Sequence, residues 1–230
     1  TKTDRNCLIG GWLAPISNWI GKCGNNITRP AMELTLGVHR DAILPKFSFS
    51  TLKSKAKEKL EINRSAPAFG RKVVIFSTCF SNYNNPEIGL AARRVLAKNG
   101  VESEVVYPKC CGMPQFEHGD IAAVAESALT VSASLRPWIE KKYSVIALIP
   151  SCALMMKFEW PLIVPESDDV LLLSKSTQDI TEYIVDIAKT EGVADGLGSV
   201  EGGVTMHVAC HARAQNMGQK GVEMLRIIPD

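Results

Sequence analysis

The chain has 230 residues, 46% hydrophobic and 22% charged, a balance that excludes a disordered tail, a collagen-like repeat or a small disulfide-stapled scaffold. Its 26 basic and 24 acidic side chains leave a formal charge of +2, too weak to point to a polyanionic partner. No Lys/Arg-rich run is interleaved with aromatics, so nucleic acid is not suggested either.

Residues 1–70 differ in texture from the rest. The run from Leu8 to Ile20 is apolar but broken by Gly10, Gly11 and Pro15. It falls short of the ~20 unbroken apolar residues that span a bilayer. Trp12 and Trp19 lie seven apart, which places them on one helical face; that face packs on a neighbouring domain or docks on a partner or membrane surface, the first reading being favoured. Between Pro45 and Arg71 the composition turns basic, with Lys53, Lys55, Lys57 and Lys59 along a short helix of a solvated connector.

From Arg71 onwards the pattern becomes regular. Lys72–Ser77 is a β-branched apolar run of the kind a strand buried on both faces shows. Pro86 to Asn99 carries apolar residues at helical spacing between a proline start and an Asn99-Gly100 stop. Glu102–Tyr107 reads as a strand, Gly119–Trp138 as a helix and Ser144–Ile149 as a third strand. A helix is expected over Thr177–Thr190, then a glycine-marked linker with Gly196, Gly198, Gly202 and Gly203. Val204–Ala209 reads as a strand opening a second copy of the pattern, followed by a helix from Gly218 to Ile227. The expectation is an α/β, Rossmann-like parallel sheet with helices on both faces.

Seven cysteines punctuate this pattern, at 7, 23, 79, 110, 111, 152 and 210. An odd count without a secretory signal argues against a disulfide framework and for thiols kept reduced in a cytoplasm. Cys79 follows the first strand, Cys110 and Cys111 the second, Cys152 the third, and Cys210 the strand of the second copy. Open α/β sheets bind ligands outside the carboxyl ends of their strands, so these thiols converge on one edge. A soft all-thiolate set suits zinc or an iron–sulfur cluster. Adjacent Cys110 and Cys111 reach different irons of a wide cluster more easily than one zinc ion, which tilts the choice to iron and sulfide. Inert buried cysteines are the competing account. A Cys110–Cys111 disulfide would form a strained ring. Lys109, His118 and His211 flank the edge as solvated or neighbouring groups, and the Phe80–Pro86 stretch reads as a polar turn supplying N–H donors.

The segments Cys79-Phe80-Ser81-Asn82-Tyr83-Asn84-Asn85-Pro86, Lys109-Cys110-Cys111-Gly112-Met113-Pro114 and Ser151-Cys152-Ala153-Leu154 resemble, in order and spacing, the cysteine-rich CCG domain of redox subunits. That family includes the CCG-bearing subunits of heterodisulfide reductase and of anaerobic glycerol-3-phosphate dehydrogenase, and the iron–sulfur subunit of glycolate oxidase. The glycerol-3-phosphate dehydrogenase segments are the ones these resemble most. The resemblance implies an iron–sulfur electron-transfer subunit of an oxidoreductase. It would relay electrons from a flavoprotein dehydrogenase, or another redox subunit, to quinone or another carrier. It implies Cys79, Cys110, Cys111 and Cys152 as ligands of a [4Fe–4S] cluster and assigns Cys210 to a second, incomplete motif.

Where the family pattern closes with Cys-x-x-Cys, Ile149 stands three before Cys152. This favours a relay over the non-cubane cluster of the heterodisulfide reductase type; that catalytic cluster acting on a disulfide, and a structural zinc site, are the alternatives. Residues 1–70 are then a connector after a missing ferredoxin-like domain, with Cys7 a remnant of its edge. Residues 71–195 form the first CCG domain and 196–230 the start of a second. The ends at Thr1 and Asp230 read as those of a longer polypeptide. A cytoplasmic location is expected, with peripheral attachment to the cytoplasmic face of the inner membrane left open.

Overall fold

The computed structural model describes residues 2–229. The chain opens with three helices, α1 (Thr3–Trp12), α2 (Ala14–Gly21) and α3 (Thr28–Leu36). Buried Arg29 of α3 donates its guanidinium to the carbonyls of His39, Arg40 and Ala42, and so fixes the loop that follows. Helix formation stops between Trp12 and Ala14, so Trp12 and Trp19 sit on separate helices instead of one face. Both are exposed, at 74% and 55%. The helix of the basic connector, α4 (Leu52–Lys55), is shorter than expected and holds Lys53 and Lys55 but not Lys57 or Lys59; Lys55 pairs with Glu87 at 2.9 Å, and Leu52 is fully buried over Gly89.

The sheet is built from β1 (Lys72–Phe76), β2 (Glu102–Val106), β3 (Ser144–Ala147) and β4 (Thr177–Asp179). All pairings are parallel and the spatial order is β2-β1-β3-β4. Parallel strands require crossovers. Beyond β1 come α5 (Cys79–Tyr83) and α6 (Pro86–Lys98); beyond β2 come α7 (Met113–Glu117) and α8 (Ile121–Glu140). The third crossover holds α9 (Pro150–Leu154), a π-helical turn over Met155–Glu159, α10 (Trp160–Ile163) and α11 (Asp168–Ser176). After β4 run α12 (Ile180–Thr190), α13 (Cys210–Ala214) and α14 (Lys220–Leu225).

Side chains alternate across the strands, so two cores form. Val74, Phe76, Val145 and Ala147 pack with α8 and α11 on one face; Val73, Ile75 and Ile146 pack with α6 and α12 on the other. The outward step to β2 uses the second face, and the return past β1 to β3 uses the first. This is how right-handed crossovers cover both sides of a sheet. The expected strands and the helices over 86–99, 119–138 and 218–227 are present within a few residues, apart from the two stretches that follow.

Two expectations change. Thr177–Asp179 is the edge strand β4, not the start of a helix, because Asp179 caps α12: its carboxylate accepts from Thr181 N–H at 2.9 Å and Glu182 closes a capping box. Val204–Ala209 does not form a strand, and Val204 and Met206 stay exposed. A strand needs a neighbour to satisfy its backbone, and none pairs with this stretch among the described residues; Met206 instead closes on Gly221.

Candidate metal centre

The sheet order reverses between β1 and β3, so the crevice outside the carboxyl ends of these strands is a topological switch point, where open α/β sheets take their ligands. Cys79 opens α5 three residues beyond β1, and Cys152 lies in α9 just beyond β3. Cys110 and Cys111 sit in the loop from β2 to α7. That loop turns through Gly112, at φ 84°, a left-handed conformation that costs a residue with a Cβ ~1–2 kcal/mol. The same glycine lets the backbone close on α8, where an added Cβ would stand 3.4 Å from Val124 Cα.

The four sulfurs meet in two pairs. Cys79 and Cys110 Sγ are 3.8 Å apart, and Cys111 and Cys152 Sγ are 3.1 Å apart. Contact between Cys110 and Cys111 joins the pairs. Cys110, Cys111 and Cys152 are buried and Cys79 is half-buried, and no disulfide forms.

Hydrogen bonding from Cys111 and Cys79 pulls the Cys110 thiol far below its ordinary value, to about 3, with the N–H groups of Gly112 and Cys111 adding to the effect. The same bonds to Cys110, with burial, push Cys79 up. Bonds to Cys110 and Cys152, followed by burial, raise Cys111 strongly. Among these three, Cys110 is favoured as the thiolate and Cys79 and Cys111 as thiols, and ionising those two calls for a cationic partner. Lys109 does not supply it, being paired with exposed Glu126 at 2.6 Å.

A set of four cysteine sulfurs suits zinc or an iron–sulfur core. Four Zn–S bonds of ~2.3 Å put ligand sulfurs ~3.8 Å apart; one pair matches that edge and the other is shorter. Among the described residues no three His, Cys, Asp or Glu side chains stand at the spacing of one ion's ligands.

The surroundings differ in part from those expected. The Phe80–Pro86 stretch is helical up to Tyr83 rather than a donor-rich turn; Thr78 caps it and buried Asn82 accepts from Lys53 N–H at 3.1 Å, tying in α4. His118 is exposed at the end of α7, and His211 is half-buried. Cys210 is exposed, with Sγ 3.7 Å from Nδ1 of His211, and stands outside the buried group although α13 packs on α9. Ile149 fills the space beside Cys152 and touches both cores.

Three residues beyond α9 and one at the start of the chain, none of them marked by the sequence patterns, belong here. The π turn spaces Met155, Met156 and Trp160 so that all three are buried, and Trp160 donates its indole N–H to the Cys111 carbonyl at 3.1 Å. On the opposite side α1 packs on α5, and the Asp4 carboxylate accepts from Cys110 N–H at 3.1 and 3.2 Å and from the Tyr107 hydroxyl. Cys7, on the same helix, lies close enough to Cys110 for burial and that charge together to raise its own thiol.

Thiols carried on three strand ends of one parallel sheet define a cysteine-rich α/β domain. Residues 73–157 match the family model of the cysteine-rich domain, CCG, a span that holds all four clustered cysteines. Among curated proteins it is 31% identical over 147 residues to Lactate utilization protein A of Bacillus pumilus (strain SAFR-032), covering 61% of this chain and 58% of that protein. It is 25% identical over 205 residues to a subunit of the anaerobic glycerol-3-phosphate dehydrogenase of Escherichia coli (strain K12), covering 87% of this chain and 50% of that one. The chain thus spans about half the length of the curated relatives it matches. No solved structure matches it.

Proposed function

We propose that Cys79, Cys110, Cys111 and Cys152 hold an iron–sulfur cluster of the [4Fe–4S] type, and that the protein is an electron-transfer subunit of an oxidoreductase. Its donor would be a flavoprotein dehydrogenase subunit, and its acceptor quinone or another carrier. The observation that carries this reading is the gathering of four sulfurs from three strand ends at the switch point. One matched relative is by name a subunit of a dehydrogenase, and another a protein of lactate utilization, which supports a place in a dehydrogenase complex. Cys210, free and exposed outside this group, is assigned to a second, incomplete motif.

A bound cluster supplies one-electron transfer at a potential set by charge, burial and hydrogen bonds to sulfur. The chain's own residues do the rest. The β1, β2 and β3 ends fix the ligand positions, Gly112 turns the adjacent cysteines inward, and Trp160 with Met155 and Met156 excludes water behind Cys111. Burial also supports relay over catalysis. Electrons cross a protein wall, whereas a disulfide substrate needs an open face, and Cys110, Cys111 and Cys152 are at most 4% exposed. Ile149, in place of a further thiol, points the same way. No helix among the described residues is long and apolar enough to cross a membrane.

Anaerobically purified protein is expected to be brown, with a broad visible absorption that bleaches with dithionite and returns on reoxidation. A colourless protein with no iron, or with one zinc ion and no redox response, would overturn the proposal.

A further inference from the structure

An acidic contact to the sulfur group's backbone comes from outside the matched domain. Asp4 lies in the first turn of α1, 106 residues before Cys110, yet both of its carboxylate oxygens accept the Cys110 N–H. Its second donor, Tyr107, is held from two sides: Phe76 stacks on it at 6.5 Å between centroids, and Tyr83 meets it edge-on at 5.5 Å. The pairing is therefore built in by a strand end, a helix and a loop, and is not a chance contact of a surface carboxylate.

Backbone amides beside ligand cysteines raise a cluster's potential when they donate to sulfur, because they stabilise the added electron. Here the Cys110 amide is turned to a carboxylate instead, and a full negative charge stands beside the ligand in a half-buried place, where charges are poorly screened. Both consequences have the same sign.

Resting on the cluster reading above, we infer that Asp4 is a potential-setting positioning residue. Carried in by the N-terminal helix, it holds the Cys110 loop in place and makes the cluster harder to reduce. A CCG domain without this helix would then hold its cluster at a higher potential.

The test is an anaerobic redox titration of the full chain, followed by EPR, after iron analysis of each variant. Asp4→Asn keeps an acceptor for the Cys110 N–H and removes the charge. It is expected to raise the reduced-to-oxidised ratio at a fixed ambient potential about tenfold, equal to a shift of about 59 mV for one electron. Asp4→Glu keeps the charge and is expected to stay close to the wild-type value. Tyr107→Phe keeps the charge and strips one of its donors, so it shifts the potential the other way, and it carries the test if Asp4→Asn does not fold.

An unchanged potential in Asp4→Asn with full iron overturns the inference while leaving the cluster reading intact. Equal shifts in Asp4→Asn and Asp4→Glu, or shifts of one sign in Asp4→Asn and Tyr107→Phe, overturn it too, since loosened packing would act that way. A wild-type chain that binds no iron removes the cluster reading and the inference together.

Discussion

Cys111→Ser is expected to leave the anaerobically assembled chain almost free of iron and without its visible absorption, while the far-UV circular dichroism stays that of the wild type. Cys111 is buried, 3.1 Å from Cys152 and held from behind by Trp160. Serine replaces a soft thiolate by a hard hydroxyl at the same place, and thiolate is what iron–sulfur centres select. Groups that merely orient ligands typically cost ~10–100-fold in metal affinity, so losing a ligand itself exceeds that range. The fold should survive, because β1 and β3 pair through backbone and the cores close around other side chains; the cost of burying a hydroxyl is only ~1–3 kcal/mol. Iron and acid-labile sulfide per chain measure the effect. Wild-type iron content in this variant would show that Cys111 is packing and not a ligand.

The largest effect on stability is expected at Trp160, a fully buried side chain at the end of the π turn. Truncating it to alanine leaves a cavity and deprives the Cys111 carbonyl of its indole donor. Large aromatic-to-alanine changes in cores cost ~3–5 kcal/mol, a sizeable share of the ~5–15 kcal/mol that holds a typical domain together. Urea unfolding of the metal-free chain should show Trp160→Ala losing stability in that range. Trp160→Phe keeps much of the volume and loses the N–H, so it should fall at about 1–3 kcal/mol. A loss below about 1 kcal/mol for Trp160→Ala would mean that the π turn and its tryptophan do not support the Cys111 loop.

The sheet was legible because its signals are local. The apolar runs at 72–77 and 144–149 are buried on both faces, and such strands need no long-range information to be read. Cys79, Cys110, Cys111 and Cys152 were legible for the same reason, each following a strand end. What escaped has two sources. Some of it was local but passed over: Asp179 followed by Glu182 is a capping-box pattern that marks where α12 begins, and Pro150 and Pro161 could have marked the helix starts beyond β3. The rest is tertiary. Nothing near Asp4 says that its carboxylate will meet an amide 106 residues away, and no local pattern shows that Trp160 points back at Cys111. The strand expected over 204–209 failed from the opposite cause: its local pattern is adequate, but no neighbouring strand among the described residues satisfies its backbone.

Anomalous diffraction from anaerobically grown crystals, recorded on either side of the iron absorption edge, tests the whole account at its centre. The account expects one compact iron signal beyond the ends of β1 and β3, within bonding distance of the sulfurs of Cys79, Cys110, Cys111 and Cys152. Iron bound elsewhere, or a zinc signal on those sulfurs with no iron, would contradict it.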